Sequence, residues 1–348
     1  MLKEYVLVNL FEDFINKSAS RKRVKPNGNA IKSTTLLNYK STLSTLKSFE
    51  QTRKCSYIIK IHNRPSPAFL LSQFKYWKRF YFYLTQYLYK TRGCYDNYVG
   101  SVIKSVRAFF KYLRKERFPS MGTYYEVFYV PHEEVPILVL TSDRLRFLIH
   151  DADFRQQLTV SECSAKDFLV FGCAVGLRFS DLHNIKGKDI LEANNDKYLK
   201  CTSIKTETES LVLLPEFARS IVSKYAGIWG VNKQLFPIKS LHQFNAQLRS
   251  IAKKAGWTET VRKVRHRRGI RYVMTRKNSK KDLRFCDLIS SHIMRRTAIT
   301  SMLMAGIPEQ VVRKISGHSP TSGSFYRYVK YSQAFLDASL LKMHRVFD

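Results

Sequence analysis

Between Phe118 and Pro136 the helical periodicity of the chain breaks off, where Pro119, Gly122, Pro131 and Pro136 follow one another closely. Proline and glycine at that density punctuate regular elements rather than build them. A chain interrupted there folds as two lobes: residues 1–120 as one domain, 121–139 as a linker and 140–348 as the second. Before the break the pattern predicts helices over Tyr5–Asn16, Ser33–Glu50, Leu71–Lys90 and Asn97–Arg117, divided by short Pro, Gly and Asn clusters. After it, Thr141 or Ser142 suits the N-cap of a new helix. No internal repeat or low-complexity tract is evident.

Charge narrows what those lobes meet. Lys and Arg number 60 against 27 acids, a net charge of +33 over 348 residues. Up to Val130 there are 24 basic and 7 acidic residues, or +17, which leaves +16 for the remainder. Both lobes therefore carry the excess, which points to a polyanion held by both, nucleic acid before a membrane surface. With 44% hydrophobic and 13% aromatic residues the chain can build real cores, unlike a disordered basic tail. No run of 18 apolar residues exists, and Met1–Phe14 includes Glu4, Glu12 and Asp13, unlike a signal peptide, so a cytoplasmic protein with no membrane partner is expected. Cys55, Cys94, Cys163, Cys173, Cys201 and Cys286 lie far apart without a Cys-x-x-Cys and read as reduced thiols. The histidines show no metal-ligand spacing.

Within the first lobe, Val102, Val106, Phe109 and Leu113 recur at helical spacing, while Lys104, Arg107, Lys111, Arg114 and Lys115 fill the opposite face. One face packs and the other suits phosphate; a merely solvated basic face is the plainer alternative. Leu71–Lys90 contains nine aromatic residues, including Phe74, Trp77, Phe80 and Tyr87. Their helical spacing favours core packing over stacking on exposed bases.

Phosphate chemistry is run by metals on clustered carboxylates or by a metal-free set of Arg, Lys and His around a nucleophile. The first option is poorly supplied: Asp151-Ala152-Asp153 stands alone and reads as a solvated loop, and no His-Glu-x-x-His or P-loop pattern appears. The second is well supplied. An apolar helix over Asp167–Ala174 runs into Gly176-Leu177-Arg178-Phe179-Ser180-Asp181, which sets Arg178 at a break before a helix that Ser180 can cap. Tyr198–Ile204 and Ser210–Leu214 suit a β-hairpin with Lys205-Thr206 at its turn. Farther on, Ser290-Ser291 resembles an N-cap before a helix on which His292 and Arg295 share a face. The next helix has Pro308 at its first position and ends at Gly317, so His318 emerges past a glycine C-cap, followed by Phe325-Tyr326-Arg327-Tyr328. Each piece alone has a bland reading: an Arg–Asp ion pair, a solvated turn lysine.

Taken in order, Gly-Leu-Arg-x-x-Asp, a hairpin Lys-Thr, Ser-His-x-x-Arg-Arg-Thr, Ser-Gly-His-Ser and a late tyrosine, spread over Leu140–Asp348, resemble the catalytic domain of the tyrosine recombinase (phage-integrase) family, in particular integrases of bacterial mobile elements. The Met1–Phe118 helices resemble that family's core-binding domain more loosely. The resemblance implies a mainly α fold with a small β-sheet and hairpins (α+β). A helical, SAM-like core-binding domain and a tyrosine-recombinase catalytic domain would form a C-shaped DNA clamp. It implies that Arg178, Arg295 and His318 hold the scissile phosphate and that Lys205 protonates the leaving 5′ oxygen. His292 would assist deprotonation of the tyrosine, and Asp181 would orient Arg178. A 3′-phosphotyrosyl intermediate conserves bond energy, so no cofactor is expected, neither metal nor ATP.

The tyrosine itself is open in the sequence. Tyr326, Tyr328 and Tyr331 lie eight, ten and thirteen residues after His318. The family's usual spacing falls between the first two, and one extra residue in Ser319–Ser324 restores Tyr328, which the run Phe325-Tyr326-Arg327-Tyr328-Val329 also favours. Tyr328 is thus the first choice, Tyr326 the runner-up.

Two further segments complete the reading, one facing DNA and one closing the chain. Arg262–Arg284 holds eleven basic residues against one acid, Asp282. It suits a basic hairpin whose Arg265, Arg267, Arg268 and Arg271 face phosphates, a flexible solvated loop being the alternative. Ser332–Val346 suits an amphipathic C-terminal helix, docked on its own domain or on a neighbouring subunit. The expected function is site-specific recombination of double-stranded DNA (integration, excision or inversion) by a homo-tetramer through a Holliday junction, with accessory DNA-bending proteins as possible partners. Rival readings are a type IB topoisomerase, a non-catalytic DNA-binding relative and, more distantly, an RNA-binding protein.

Overall fold

The computed structural model describes residues 2–333 and 337, apart from 25–26, 205–206, 230–231, 277–278 and 320–321. Lys205 and most of the expected C-terminal helix lie outside the described residues. In chain order the elements are β1 (Leu2–Val6), α1 (Leu7–Ala19), α2 (Ser33–Arg53), β2 (Ile58–His62), α3 (Pro67–Gln86), α4 (Asp96–Tyr112), α5 (Ser142–His150), α6 (Ala152–Gln156), α7 (Val160–Val175) and α8 (Phe179–His183). They continue with β3 (Ile190–Ala193), β4 (Asp196–Thr202), β5 (Glu209–Leu213), α9 (Glu216–Trp229), α10 (Leu241–Lys254), β6 (Val264–Arg267), β7 (Ile270–Val273), α11 (Phe285–Leu288), α12 (His292–Met304) and α13 (Glu309–Ser316). The fold is mainly helical, with small antiparallel sheets.

The first compact unit comprises residues 1–135 together with 264–274. Its core follows from helical spacing: Val99, Val102, Ile103, Val106, Phe109 and Phe110 line one side of α4 and are buried, while Lys104 and Lys111 on the other side are exposed. Trp77 and Phe80 of α3 join them, Trp77 meeting Phe110 edge-on at 4.7 Å. The α3 aromatics thus pack, as their spacing predicts, although Phe82 and Tyr83 remain exposed. Helix α1 starts later than its sequence pattern suggests, because Tyr5 and Val6 pair as a strand with Ile59 and Ile58. The stretch read as a linker carries part of this core, with Met121, Tyr124, Tyr125 and Phe128 buried in it.

Also in this unit, β6 and β7 form a hairpin in which Arg265 pairs with Tyr272 and Arg267 with Ile270. Arg268 and Gly269 at the turn have φ of 52° and 76°, the doubly positive pair of a type I′ turn that matches strand twist. Two buried carboxylates hold it. Asp96 accepts from the backbone N–H of Arg268 at 2.8 Å, from that of Gly269 at 3.3 Å and from the Tyr89 hydroxyl at 2.7 Å. Glu133 accepts from Arg265 Nε at 2.7 Å and from the His266 N–H at 2.5 Å.

The second unit comprises residues 136–263 and 275–348. Helix α7 runs through its core, with Phe168, Leu169, Val170 and Phe171 all buried. A capping box starts it, the Thr159 hydroxyl accepting from the Glu162 N–H while the Glu162 carboxylate accepts from the Thr159 N–H. Gly176, at φ 69°, ends it in the left-handed conformation that glycine adopts without strain. Strands β3, β4 and β5 form an antiparallel sheet in that order, with Cys201 opposite Ser210. The expected hairpin is therefore two strands of a three-stranded sheet. Asp151 is not in a solvated loop: its carboxylate N-caps α6, accepting from the Phe154 N–H at 2.6 Å. Pro308 sits one position earlier than expected, as the N-cap of α13, and Arg178 rather than Ser180 occupies the N-cap position of α8.

Candidate active site

In the second unit the C-terminal end of α7, the first turns of α12 and the C-terminal end of α13 bring together most of the residues singled out from sequence. Arg295, on the first turn of α12, is 6% exposed. Its Nη1 donates to the carbonyls of Gly176, at 3.1 Å, and Ser316. Ser316 is the last residue of α13, its carbonyl at the negative end of that helix dipole, and Gly176 is the left-handed C-cap of α7. Its Nη2 lies 3.0 and 3.1 Å from the two ring nitrogens of His318.

His318 is placed by the left-handed Gly317, φ 61°, which turns the chain sharply after α13. Its N–H donates to the Arg313 carbonyl at 2.9 Å, and Nδ1 is 2.8 Å from the Ser316 hydroxyl. Arg178 donates to the Ser203 hydroxyl at 3.1 Å and to the Gly317 carbonyl at 3.3 Å. Its Nη1 is 3.9 Å from Asp181 Oδ2. Asp181 is buried, and its Oδ1 accepts from the N–H of Ile204, two residues past β4 and one before Lys205 in sequence.

Electrostatically the cluster is cationic and partly dehydrated. Burial pushes Arg295 well below its ordinary value, to about 10, and the neighbouring Arg178 pushes it the same way, while Tyr328 and Asp181 pull it back. Arg295 thus remains a cation near neutral pH. Burial also lowers Arg296, again with Tyr328 opposing through a hydrogen bond and its charge. A phosphate entering this cluster would meet several donors whose charge Asp181 compensates only in part, the preorganised arrangement that favours an anion and its more charged transition state.

The three tyrosines differ sharply in surroundings. Tyr328 interacts with both Arg295 and Arg296, and its ring lies 5.9 Å from those of His318 and Phe325. Tyr326 is 57% exposed and packs beside Arg313, and Tyr331 is 38% exposed. The structure therefore gathers Arg178, Asp181, Arg295, His318 and Tyr328. His292 opens α12 as an exposed residue, one turn ahead of Arg295. Sequence reasoning passed over Arg296, although it sits in the same Arg-Arg-Thr run.

Of the residues expected on DNA, Lys104, Lys111, Arg114 and Lys115 are exposed and Arg107 is half-buried. Arg265 is committed to Glu133, and Arg267 lies over the Tyr95 and Tyr272 rings at 4.6 and 4.8 Å. Arg268 lies over Tyr89 at 5.1 Å, and Arg271 is exposed. Among the described residues no cluster of His, Cys, Asp or Glu suits a metal ion, and no helix is long and apolar enough to cross a membrane.

Known proteins give this cluster its context. No curated protein matches the sequence. Among solved structures, the fold is similar to a lambda integrase dimer bound to a COC′ core site, at 13% identity and a TM-score of 0.58, covering 94% of this chain and 77% of that one. It is similar to the XerH site-specific recombinase in a post-cleavage complex with palindromic difH substrate, at 12% identity and a TM-score of 0.57, covering 92% and 91%. The Tn1549 transposon integrase in complex with circular intermediate DNA gives 15% identity and a TM-score of 0.55, covering 93% and 94%. The sequence profile of the phage integrase family matches residues 139–334, the stretch that contains every residue of the arginine–histidine–tyrosine cluster. A match over more than half the chain, on a fold shared with lambda integrase, XerH and the Tn1549 integrase, makes this protein a member of the phage integrase family, a tyrosine recombinase.

Proposed function

We propose that this tyrosine recombinase uses Tyr328 as its nucleophile on DNA held by both basic units, and that it exchanges strands between specific sites as a homo-tetramer through a Holliday junction. The observation that carries the reading is the position of Tyr328 beside Arg295, Arg296 and His318, while Tyr326 and Tyr331 are more exposed.

In the proposed step the Tyr328 oxygen attacks the scissile phosphorus, a phosphorus–tyrosine bond forms and the bond to the 5′ oxygen breaks. The phenolic proton passes to His292, and Lys205 supplies a proton to the departing 5′ oxygen. An unassisted phenol has a pKa near 10, so it is a poor nucleophile at neutral pH. Arg295 and Arg296 lie beside the oxygen, and with Arg178 and His318 they spread the charge that builds on the phosphate oxygens. Reversal by a 5′ hydroxyl from another strand completes exchange with no net loss of phosphodiester bonds.

Covalent trapping on a nicked duplex tests the assignment. Tyr328→Phe should abolish the protein–DNA adduct and Tyr326→Phe should retain it; the opposite pattern would move the nucleophile to Tyr326. Two-site exchange against sequence-tolerant relaxation of supercoiled DNA separates recombinase from topoisomerase.

A further inference from the structure

Helix α13 contributes one arginine, Arg313, that the proposed chemistry does not use. Arg313 is 6% exposed, and its guanidinium reaches main-chain carbonyls that follow His318. Nε and Nη2 both donate to Oε1 of Glu309 one turn earlier, at 2.7 and 2.6 Å. Nη1 donates to the carbonyls of Ser319, at 3.1 Å, and Ser322, at 3.3 Å. The guanidinium lies over the Phe325 ring at 4.2 Å and over Tyr326 at 5.5 Å.

The two loop carbonyls are already turn acceptors. Ser319 accepts from the Ser322 N–H at 3.0 Å, and Ser322 accepts from the Phe325 N–H at 3.1 Å. Arg313 thus takes the second lone pair of each and fixes the loop at two points. Its own backbone is committed as well, because its carbonyl accepts from the His318 N–H. One residue therefore holds His318 through its main chain and the approach to Tyr328 through its side chain.

We propose that Arg313 is a positioning residue that sets the separation between His318 and Tyr328, and so holds the tyrosine oxygen at the arginine cluster despite the ten-residue spacing. The proposal rests on the reading of Tyr328 as the nucleophile. A loop of this length has many arrangements that leave Tyr328 short of Arg295 or turn Tyr326 inward. A buried guanidinium fixed by an ion pair and two aromatic rings selects among them, since its planar fork loses little freedom on forming several bonds at once. Lysine offers the charge but not the fork.

The experiment measures single-turnover adduct formation on a nicked duplex at saturating DNA, with the dissociation constant for the same duplex and the thermal midpoint measured in parallel. Arg313→Gln is expected to slow adduct formation tenfold or more while the dissociation constant stays within twofold, and Arg313→Lys is expected to recover only part of the rate. An adduct rate within twofold of the parent, or binding that weakens in proportion to the rate, overturns the proposal. Should Arg313→Gln fail to fold, Glu309→Gln leaves the arginine in place and loosens its anchor. It is expected to slow adduct formation about threefold with binding unchanged, and no slowing there also overturns the proposal. Peptide mapping of the parent adduct keeps the two ideas separate: linkage to a tyrosine other than Tyr328 defeats the nucleophile assignment itself, whatever the Arg313 variants do.

Discussion

The carboxylate of Asp181 accepts a hydrogen bond from the backbone N–H of Ile204 at 3.1 Å, while its other oxygen lies 3.9 Å from Arg178 with no hydrogen-bond partner among the described residues. One buried acid thus ties Ile204, just past β4, to the arginine that follows α7. It is also a negative charge beside Arg178 and Arg295. Removing that charge leaves two guanidiniums to repel each other in a partly dehydrated site, and breaking buried charge pairs costs a few kcal/mol. Asp181→Asn keeps an acceptor for Ile204 but not the charge. It is expected to lower the stability of the free protein by about 1–3 kcal/mol and to recover part of that loss on DNA, whose phosphate replaces the missing charge. Thermal melts with and without duplex check this; a variant that melts at the parent temperature without DNA would refute it.

The β6–β7 hairpin leads to a second prediction. Its sequence resembles a phosphate-binding arm, yet Arg265 is paired with Glu133, whose side chain is 1% exposed. Glu133→Ala leaves Arg265 without its acid and the His266 N–H without its acceptor, a loss of about 3–5 kcal/mol by the usual cost of breaking a buried pair. The expected local sign is faster tryptic cleavage between Val264 and Val273. For DNA the exposed α4 face is the better candidate: neutralising Lys104 and Lys111 together should reduce the slope of log affinity against log salt by about two, whereas Arg265→Gln should leave that slope nearly unchanged. Equal slope changes for the two sets would contradict this division of labour.

Much of this architecture is legible in the sequence, and what is not has identifiable causes. Amphipathic spacing locates α4, and local chemistry locates the ends of α7 and α13, because glycine at Gly176 and Gly317 meets a purely local conformational need. Strand β3 escaped because Ile190–Ala193 is short and barely alternating, although Asn194 and Asn195, both at positive φ, mark the turn that follows it. Docking of the hairpin could not be read locally at all. Asp96 and Glu133 lie far from Arg265 and Gly269 in sequence, and a run of arginines looks the same whether it faces DNA or a buried acid. Arg296 was passed over for a related reason: adjacent helical residues point in different directions, so a helix pattern assigns the site to one of them, and only the approach of Tyr328 brings in both.

Packing under the site provides a third test. A β-carbon added at Gly172 in α7 would sit 2.5 Å from Met294 Sδ, 3.0 Å from Met294 Cβ and 3.0 Å from Leu182 Cδ2. The sulfur can move, but the Met294 β-carbon is fixed to α12 next to Arg295. Gly172→Ala should therefore push α12 away from α7 and cost about 1–3 kcal/mol, the usual penalty of overpacking. Adduct formation should fall with it, because the Gly176 carbonyl on α7 is one of the groups that orient Arg295. Thermal denaturation and trapping on the nicked duplex read the two effects, and an alanine variant as stable as the parent would show that the helices separate without penalty.

Acid sensitivity should trace to the other end of the same helix. Burial works against ionisation of Glu162, but hydrogen bonds from Lys254, Ser250 and Thr159 outweigh it and hold the carboxyl down at about 2. A carboxylate whose folded value lies below its unfolded one stabilises the fold fully above the unfolded value, and that contribution is lost as pH falls toward the folded value. The window here runs from about pH 4.5 down to about pH 2. Within it the 2.7 Å ion pair with Lys254 is lost, and the bond that the carboxylate accepts from the Thr159 N–H loses its charge assistance. Glu162→Gln keeps an acceptor for the Thr159 N–H but no longer titrates. Its stability is expected to be lower than that of the parent at pH 7, by on the order of 1–3 kcal/mol, and the gap is expected to narrow as the pH falls through the window. Urea denaturation at stepped pH values measures the gap, and a difference that stays constant from pH 7 to pH 2.5 would show that Glu162 does not titrate with folding.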